Sequence, residues 1–177
     1  MRIDSGKFKG RRLIENNYKH IRPTTDKVRQ ACLTKLQFFL PDKKVLDLFC
    51  GTGAMGIEAL SRGASEVVFV DKDRRSVNLT KDNLKLVGAD AKVTCCDALV
   101  FLETCKDKFD LIIVDPPYKS GLYGAVLEKI YEKDLLAEDG IIVCEHAEED
   151  EIDAGNFEIY DEKKYGDIVL TYLCKKE

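Results

Sequence analysis

Asp115-Pro116-Pro117-Tyr118 directly follows the apolar run Phe109–Val114, and its residue types suit the holding of a flat amine. A continuous apolar run of that length reads as a buried parallel strand. Open α/β sheets bind ligands beyond the carboxyl ends of such strands. Proline fixes φ and removes an N–H donor, so Pro116 and Pro117 offer carbonyl acceptors in a stiff frame. Asp115 adds a carboxylate and Tyr118 an aromatic face. Together they match the exocyclic NH2 of a nucleobase. A strand that merely ends in prolines and a solvated acid carries the same four residues, so the rest of the chain must decide.

A second motif lies upstream. Asp47-Leu-Phe-Cys-Gly51-Thr-Gly53-Ala-Met-Gly56 fits GxGxxG between a strand pattern and a helix pattern, and Asp71 stands twenty residues beyond Gly51. This is the dinucleotide fingerprint, with glycines for close backbone approach and an acid for ribose hydroxyls. It also serves a nucleotide-like cofactor without a pyrophosphate, and two further acids favour S-adenosylmethionine. Asp47 sits inside the motif, where a cationic ammonium would lie. Asp97 follows the third strand pattern and can accept from an adenine amine. Phe49, Thr52, Gly53, Lys72 and Ala98 flank these positions as candidate cofactor contacts.

The two motifs together define a reaction. A sulfonium is a cationic leaving group, so its methyl carbon is open to in-line attack by a well-placed amine. A base amine is a poor nucleophile because its lone pair is delocalised into the ring. Hydrogen bonds from its N–H groups to Asp115 and the Pro116 carbonyl would orient that lone pair and stabilise the charge developing on nitrogen. Pro117 and Tyr118 would frame the base, which must leave its helix or lie in a loop. Alkylation of carbon would call for a nucleophilic cysteine, and metal chemistry for a ligand cluster; neither stands beside these loops.

The elements that must position these groups alternate. Strand patterns cover 45–49, 66–71, 91–96, 109–114 and 140–145. Helices are predicted over 55–61, 74–87 (stopped by Gly88), after Asp97, and over 125–136. An earlier helix opens at Thr24-Thr25 and runs to Pro41, with Val28, Cys32, Leu36 and Phe39 at helical spacing. Two alternating strands, 156–161 and 168–174, close the chain as a hairpin joined by 162–167. The acidic run 145–153 reads as a solvated loop. Five βα units and a hairpin describe a three-layer, doubly wound, Rossmann-like sheet whose last strands run antiparallel.

Composition sets the outer limits. The chain has 177 residues, 45% hydrophobic and 34% charged, enough for one domain with a core of its own. No apolar stretch approaches a membrane span, and the charged N-terminus lacks a signal peptide's apolar core. Seven cysteines with no CxxC read as reduced, mostly buried thiols of a cytosolic protein. Net charge is −4, but residues 1–30 hold nine Lys/Arg against three acids, so this segment is +6 and the remainder −10. A basic arm or hairpin over residues 1–21, ahead of a catalytic domain over 22–177, is a phosphate-contacting footprint. Its candidate nucleic-acid contacts are Lys7, Lys9, Arg11, Arg12, Arg22, Thr24 and Arg29. A solvated terminus is the alternative.

The chain resembles the bacterial 16S ribosomal RNA guanine-N2 methyltransferases of the RsmD type. The likeness rests on residues 2–13, the Arg22-Pro-Thr-Thr-Asp-Lys-Val-Arg29 segment, residues 45–64 with their Glu58-Ala-Leu-Ser-Arg-Gly-Ala64 end, Asp115–Tyr118, and the Lys164-Tyr-Gly-Asp167 turn. Cys50 and Leu33 depart from that family's usual alanine and aromatic. The resemblance implies a seven-stranded methyltransferase sheet in the order 3-2-1-4-5-7-6 with strand seven antiparallel. It implies S-adenosylmethionine as cofactor and methylation of one guanine N2 (guanine 966 in that family) of small-subunit RNA, on the particle or its assembly intermediate. A cytoplasmic monomer without metal is the accompanying expectation. By position, Asp47, Gly51 and Gly53 would line the methionine end, Asp71 the ribose and Asp97 the adenine, with Asp115–Tyr118 taking the guanine. An adenine-N6 or other amine methyltransferase would use the same motifs. A protein-glutamine methyltransferase would favour Asn at position 115. A nicotinamide oxidoreductase would leave Asp115–Tyr118 idle, and a non-catalytic RNA-binding module would not need the cofactor loop.

Overall fold

The computed structural model describes residues 1–16 and 25–177. Twelve elements follow in order: α1 (Asp26–Lys35), β1 (Lys44–Leu48), α2 (Ala54–Ser61), β2 (Glu66–Asp71), α3 (Arg74–Val87), β3 (Lys92–Cys95), α4 (Ala98–Thr104), β4 (Phe109–Val114), α5 (Tyr123–Glu132), β5 (Leu136–Ala147), β6 (Phe157–Tyr165) and β7 (Ile168–Lys175). The strands form one sheet in the order β3-β2-β1-β4-β5-β7-β6. Neighbours from β3 to β5 pair in parallel, and β7 runs antiparallel to both β5 and β6.

Period-two alternation divides the strands between two cores. Val45, Val67, Phe69, Leu111, Ile113 and Val143 face α1, α2 and α3. Their neighbours, among them Leu46, Val68, Val70, Ile112 and Val114, face α4 and α5. The layers are therefore helix, sheet, helix. Strand order reverses between β1 and β4, and the crevice above that switch point is where such sheets bind ligands.

Residues 1–16 form a small hairpin. Arg2 bridges Arg12, and the Ile3, Gly10 and Leu13 amides or carbonyls pair across it. Ile3, Phe8 and Leu13 belong to the same core as α1 and α2, so this segment is built into the first helical layer. Arg29 fixes it there. Its buried guanidinium donates to Asp26 Oδ1 at 3.0 Å and to the Arg2 carbonyl at 2.5 Å, and lies 3.7 Å from both Glu58 and Asp4. Glu58, itself buried, accepts from the Asp4 amide at 2.8 Å.

Several boundaries differ from expectation. Asp134 at φ 51 stops α5 early and frees Leu135 and Leu136 for the sheet. β6 continues through Glu162-Lys163-Lys164, because an edge strand with solvent on one face tolerates charges. Gly166 at φ 65 with Asp167 makes the turn, so the connection is two residues long. Glu145, His146 and Ala147 complete β5 and are buried, so the acidic run begins as strand rather than loop. Among the cysteines, Cys32, Cys50 and Cys144 are buried and Cys95 is exposed; all seven are free.

Candidate functional site

The loop after β1 is shaped by conformations that few residues adopt. Phe49, Gly51 and Gly53 have φ of 64°, 55° and 80°, in the left-handed region that favours glycine. The loop is held from behind by α3. The Thr80 hydroxyl donates to the Gly51 carbonyl at 2.9 Å, and the Asn83 amide donates to the Thr52 carbonyl at 2.9 Å. A side chain on Gly53 would strike Thr80 at 2.8 Å, and one on Gly56 would strike the Phe69 ring at 2.3 Å. Gly56 thus lets α2 lie tightly on the sheet, and Gly53 seats the loop on α3.

Carboxylates tie the loop to the strand ends. Asp47 accepts from the Gly56 amide at 3.0 Å, satisfying a first-turn N–H of α2. Burial, with Asp71 adding repulsion, pushes the Asp47 carboxyl up to about 8. No cation pairs with it among the described residues. A buried acid in that condition suits a cationic ammonium. Asp71 accepts from the Gly51 amide at 3.0 Å and the Asp73 amide at 2.9 Å. Asp97 caps α4 by accepting from Leu99 and Val100 through one oxygen.

Two adjoining cavities open above the switch point. The larger, about 280 Å³, is lined by Asp47, Gly51, Thr52 and Asp71 on one side and by Asp115, Pro116, Pro117 and Tyr118 on the other. The smaller, about 20 Å³, reaches Cys96, Asp97 and Ala98. Phe49, Asp71, Lys72 and Pro117 border both. The glycine-loop acids and the post-β4 loop, forty-four residues beyond Asp71, therefore meet in one continuous space. Gly53 stands behind the loop and lines neither cavity.

Sequence reasoning missed two walls of this space, Tyr123 and His146, and the α3 residues that hold its loop from behind. Tyr123 opens α5, and its hydroxyl donates to the Glu145 carbonyl at 2.6 Å. Burial raises its phenol far above the ordinary value, and Asp115 adds to the rise. His146 meets Tyr123 edge-on at 6.0 Å and contacts Thr171 through Nε2 at 2.7 Å. Asn83 exchanges two hydrogen bonds with Ile14 besides the one to the loop, and is fully buried. Asn83 and Thr80 had a signal: each is a polar residue on the apolar face of α3, beside Val77, Leu84 and Val87.

The basic residues divide. Lys7, Lys9, Arg11 and Arg12 are exposed. The hairpin runs along α2 with Met1 and Asn16 at the larger cavity and Lys7 beside Ser61, so Lys7 and Arg11 stand at the end away from it. Lys7 and Arg11 lie against the Phe8 ring at 5.0 and 5.9 Å. Arg29 corrects the expectation: with its side chain fully buried among Asp4, Asp26 and Glu58, it is not available to a phosphate. Arg22, Thr24 and the expected domain boundary at residues 21 and 22 lie outside the described residues. Among the described residues no group of His, Cys, Asp and Glu is arranged to hold a metal, and no helix is long and apolar enough to cross a membrane.

Sheet order, switch-point cavity and strand-end acids define the fold of the S-adenosylmethionine-dependent methyltransferases. A distant structure, SMU.776 solved with SAH, shares the fold at a TM-score of 0.69 and 18% identity over 82% of this chain and 49% of that one. The chain belongs to the family described as Conserved hypothetical protein 95, whose model matches residues 1–174. It is 38% identical to YlbH of Bacillus subtilis (strain 168), over 97% of this chain and 91% of that one. It is 32% identical to ribosomal RNA small subunit methyltransferase D of Escherichia coli K12, over 95% and 86%. The Thermus thermophilus protein TTHA0928 superposes with a TM-score of 0.86 at 29% identity, covering 98% of this chain and 99% of that one.

Proposed function

We propose that this protein methylates ribosomal RNA at the exocyclic N2 amine of a guanine in the 16S RNA, acting on the small subunit or its assembly intermediate. One observation carries the reading: Asp115–Tyr118 and the acids of the glycine loop border the same cavity. The methylase names of its relatives and the motif resemblance point to the RNA. S-adenosylmethionine, when bound, supplies an electrophilic methyl group on a cationic sulfur. Asp47 meets its ammonium, Asp71 the ribose hydroxyls and Asp97 the adenine edge, with Phe49, Gly51, Thr52, Lys72 and Ala98 along its length. Asp115 and the Pro116 carbonyl accept from the amine N–H groups, which aims the nitrogen lone pair and offsets its developing charge. Pro117 and Tyr118 hold the base flat. Lys7, Lys9, Arg11 and Arg12 give the hairpin a phosphate-contacting face, and residues 1–21 serve as that RNA-contacting unit. The protein works as a cytoplasmic monomer.

The test is transfer of labelled methyl to small ribosomal subunits lacking base methylation, with naked 16S RNA and DNA in parallel. N2-methylguanosine in the digested subunit RNA is the expected product. Label recovered as N6-methyladenosine, or only in DNA or protein, overturns the substrate assignment and leaves the cofactor site standing.

A further inference from the structure

Tyr118 belongs to a surface loop, is 55% exposed, and is followed by Lys119 at φ 55 and Gly121 at φ 68. An exposed aromatic on such a loop would ordinarily sample several rotamers, and ordering it on binding would weaken the complex. Its hydroxyl instead donates to Glu149 Oε1 at 2.7 Å, thirty-one residues away on the connection after β5. That connection is itself fastened on both sides of Glu149. The Glu148 amide donates to the Asp167 carbonyl at 2.9 Å, the Asp150 amide to the Ala147 carbonyl at 3.0 Å, and Lys164 pairs with the Glu148 carboxylate at 2.5 Å. On the other side, Lys119 Nζ lies 5.3 Å from the centre of the Tyr118 ring. The ring is thus held by the hydroxyl at its far end, through a carboxylate carried on a braced segment.

We infer that Glu149 is a positioning residue that pre-orients the Tyr118 ring as the stacking face for the incoming base. The inference rests on the reading that Tyr118 receives the base. Glu149 touches neither substrate nor cofactor; it acts through Tyr118 alone. Its carboxylate also adds negative charge at a mouth approached by RNA, so the gain in order is obtained against electrostatic repulsion.

The experiment compares Glu149→Ala, Glu149→Gln, Tyr118→Phe, Tyr118→Ala and the Glu149→Ala/Tyr118→Phe double variant, using unmethylated small subunits as substrate. Glu149→Ala and Tyr118→Phe should each raise KM for the subunit about fivefold, the weight of one hydrogen bond. For Glu149→Ala, turnover at saturation and cofactor affinity should change less than twofold. Glu149→Gln keeps a carbonyl acceptor and should stay near wild type, and the double variant should be no worse than either single one. A merely structural role would lower the melting temperature in parallel; here it should hold within about two degrees. Additive losses in the double variant, or a KM lowered alike by Glu149→Ala and Glu149→Gln, overturn the inference and assign Glu149 to charge alone. Tyr118→Ala separates the two readings. If it raises KM while Tyr118→Phe and Glu149→Ala do not, positioning fails and base stacking stands; if it leaves KM unchanged, the stacking reading itself fails.

Discussion

Replacing Asp47 with asparagine should stabilise the cofactor-free protein while costing it its cofactor. Burial, opposed by the Gly56 amide and reinforced by Asp71, raises the Asp47 carboxyl from 3.8 to about 8. A carboxyl whose pKa rises on folding holds its proton more tightly in the folded state, so stability falls as pH climbs from the unfolded to the folded value. Below about pH 4 the group is neutral in both states and costs nothing. Between about pH 4 and about pH 8 the loss runs at about 1.4 kcal/mol per unit, and above that it is constant. Four units set a ceiling of about 6 kcal/mol, and water entering the open cavity keeps the realised cost below it. Asparagine preserves the carbonyl acceptor for Gly56 and removes the ionisation. Thermal unfolding of both proteins without cofactor should show the variant more stable by at least about 2 kcal/mol near pH 8, a shift of roughly 4–8 °C. The gap should shrink towards pH 5. Added S-adenosylmethionine should raise the melting point of the wild type and leave the variant nearly unmoved. Equal melting points near pH 8, or a gap indifferent to pH, would refute the assignment of Asp47 as a buried acid awaiting a cation.

Other substitutions test separate parts. Asp115→Ala should abolish methyl transfer yet retain cofactor-dependent stabilisation; near-normal turnover would sink its role in holding the amine. Arg11→Ala with Arg12→Ala should weaken RNA binding and reduce the salt slope by about 1.4–1.8, the value for two lost phosphate contacts; an unchanged slope returns both residues to solvent. Arg29→Leu removes one of the two guanidinium groups beside the buried Glu58 carboxylate, leaving Arg62 at 3.4 Å, and should cost at most about 3–5 kcal/mol in urea unfolding. Adding Glu58→Gln should recover part of that loss. Gly56→Ala places a carbon 2.3 Å from the Phe69 ring and should cost about 1–3 kcal/mol, read by the same titration.

Where the sequence was explicit, local chemistry and tertiary structure agree. α3 begins and ends as read because Asp73 caps it and Gly88, at φ 70, closes it. β2 and β4 are recognisable because short apolar runs covered on both faces belong at the centre of a parallel sheet. Both motifs were visible, and so was their placement at strand ends. What was hidden depends on partners distant in the chain. Arg29 looks like a solvated charge until Glu58, twenty-nine residues on, is brought against it. Glu162-Lys163-Lys164 reads as a loop because only the neighbouring β7 turns it into an edge strand. The Gly56 motif position suggested cofactor approach, whereas its demand for glycine comes from Phe69 on β2. Glu149 carries no local signal at all, since its partner Tyr118 lies thirty-one residues earlier.

The docking of the N-terminal hairpin dictates an order of events during synthesis. Ile3, Phe8 and Leu13 find their core only against α1 and α2, and the hairpin backbone is received by Glu58, Ser61 and Asn83, fifty-three to sixty-nine residues later. The hairpin is consequently unable to settle until α2 and α3 have left the ribosome. Until then a basic, partly apolar segment is exposed beside the very class of RNA it is proposed to serve. The same Asn83 that receives Ile14 also holds the Thr52 carbonyl, so the glycine loop and the hairpin are completed in one event. A nascent chain short of α3 has neither.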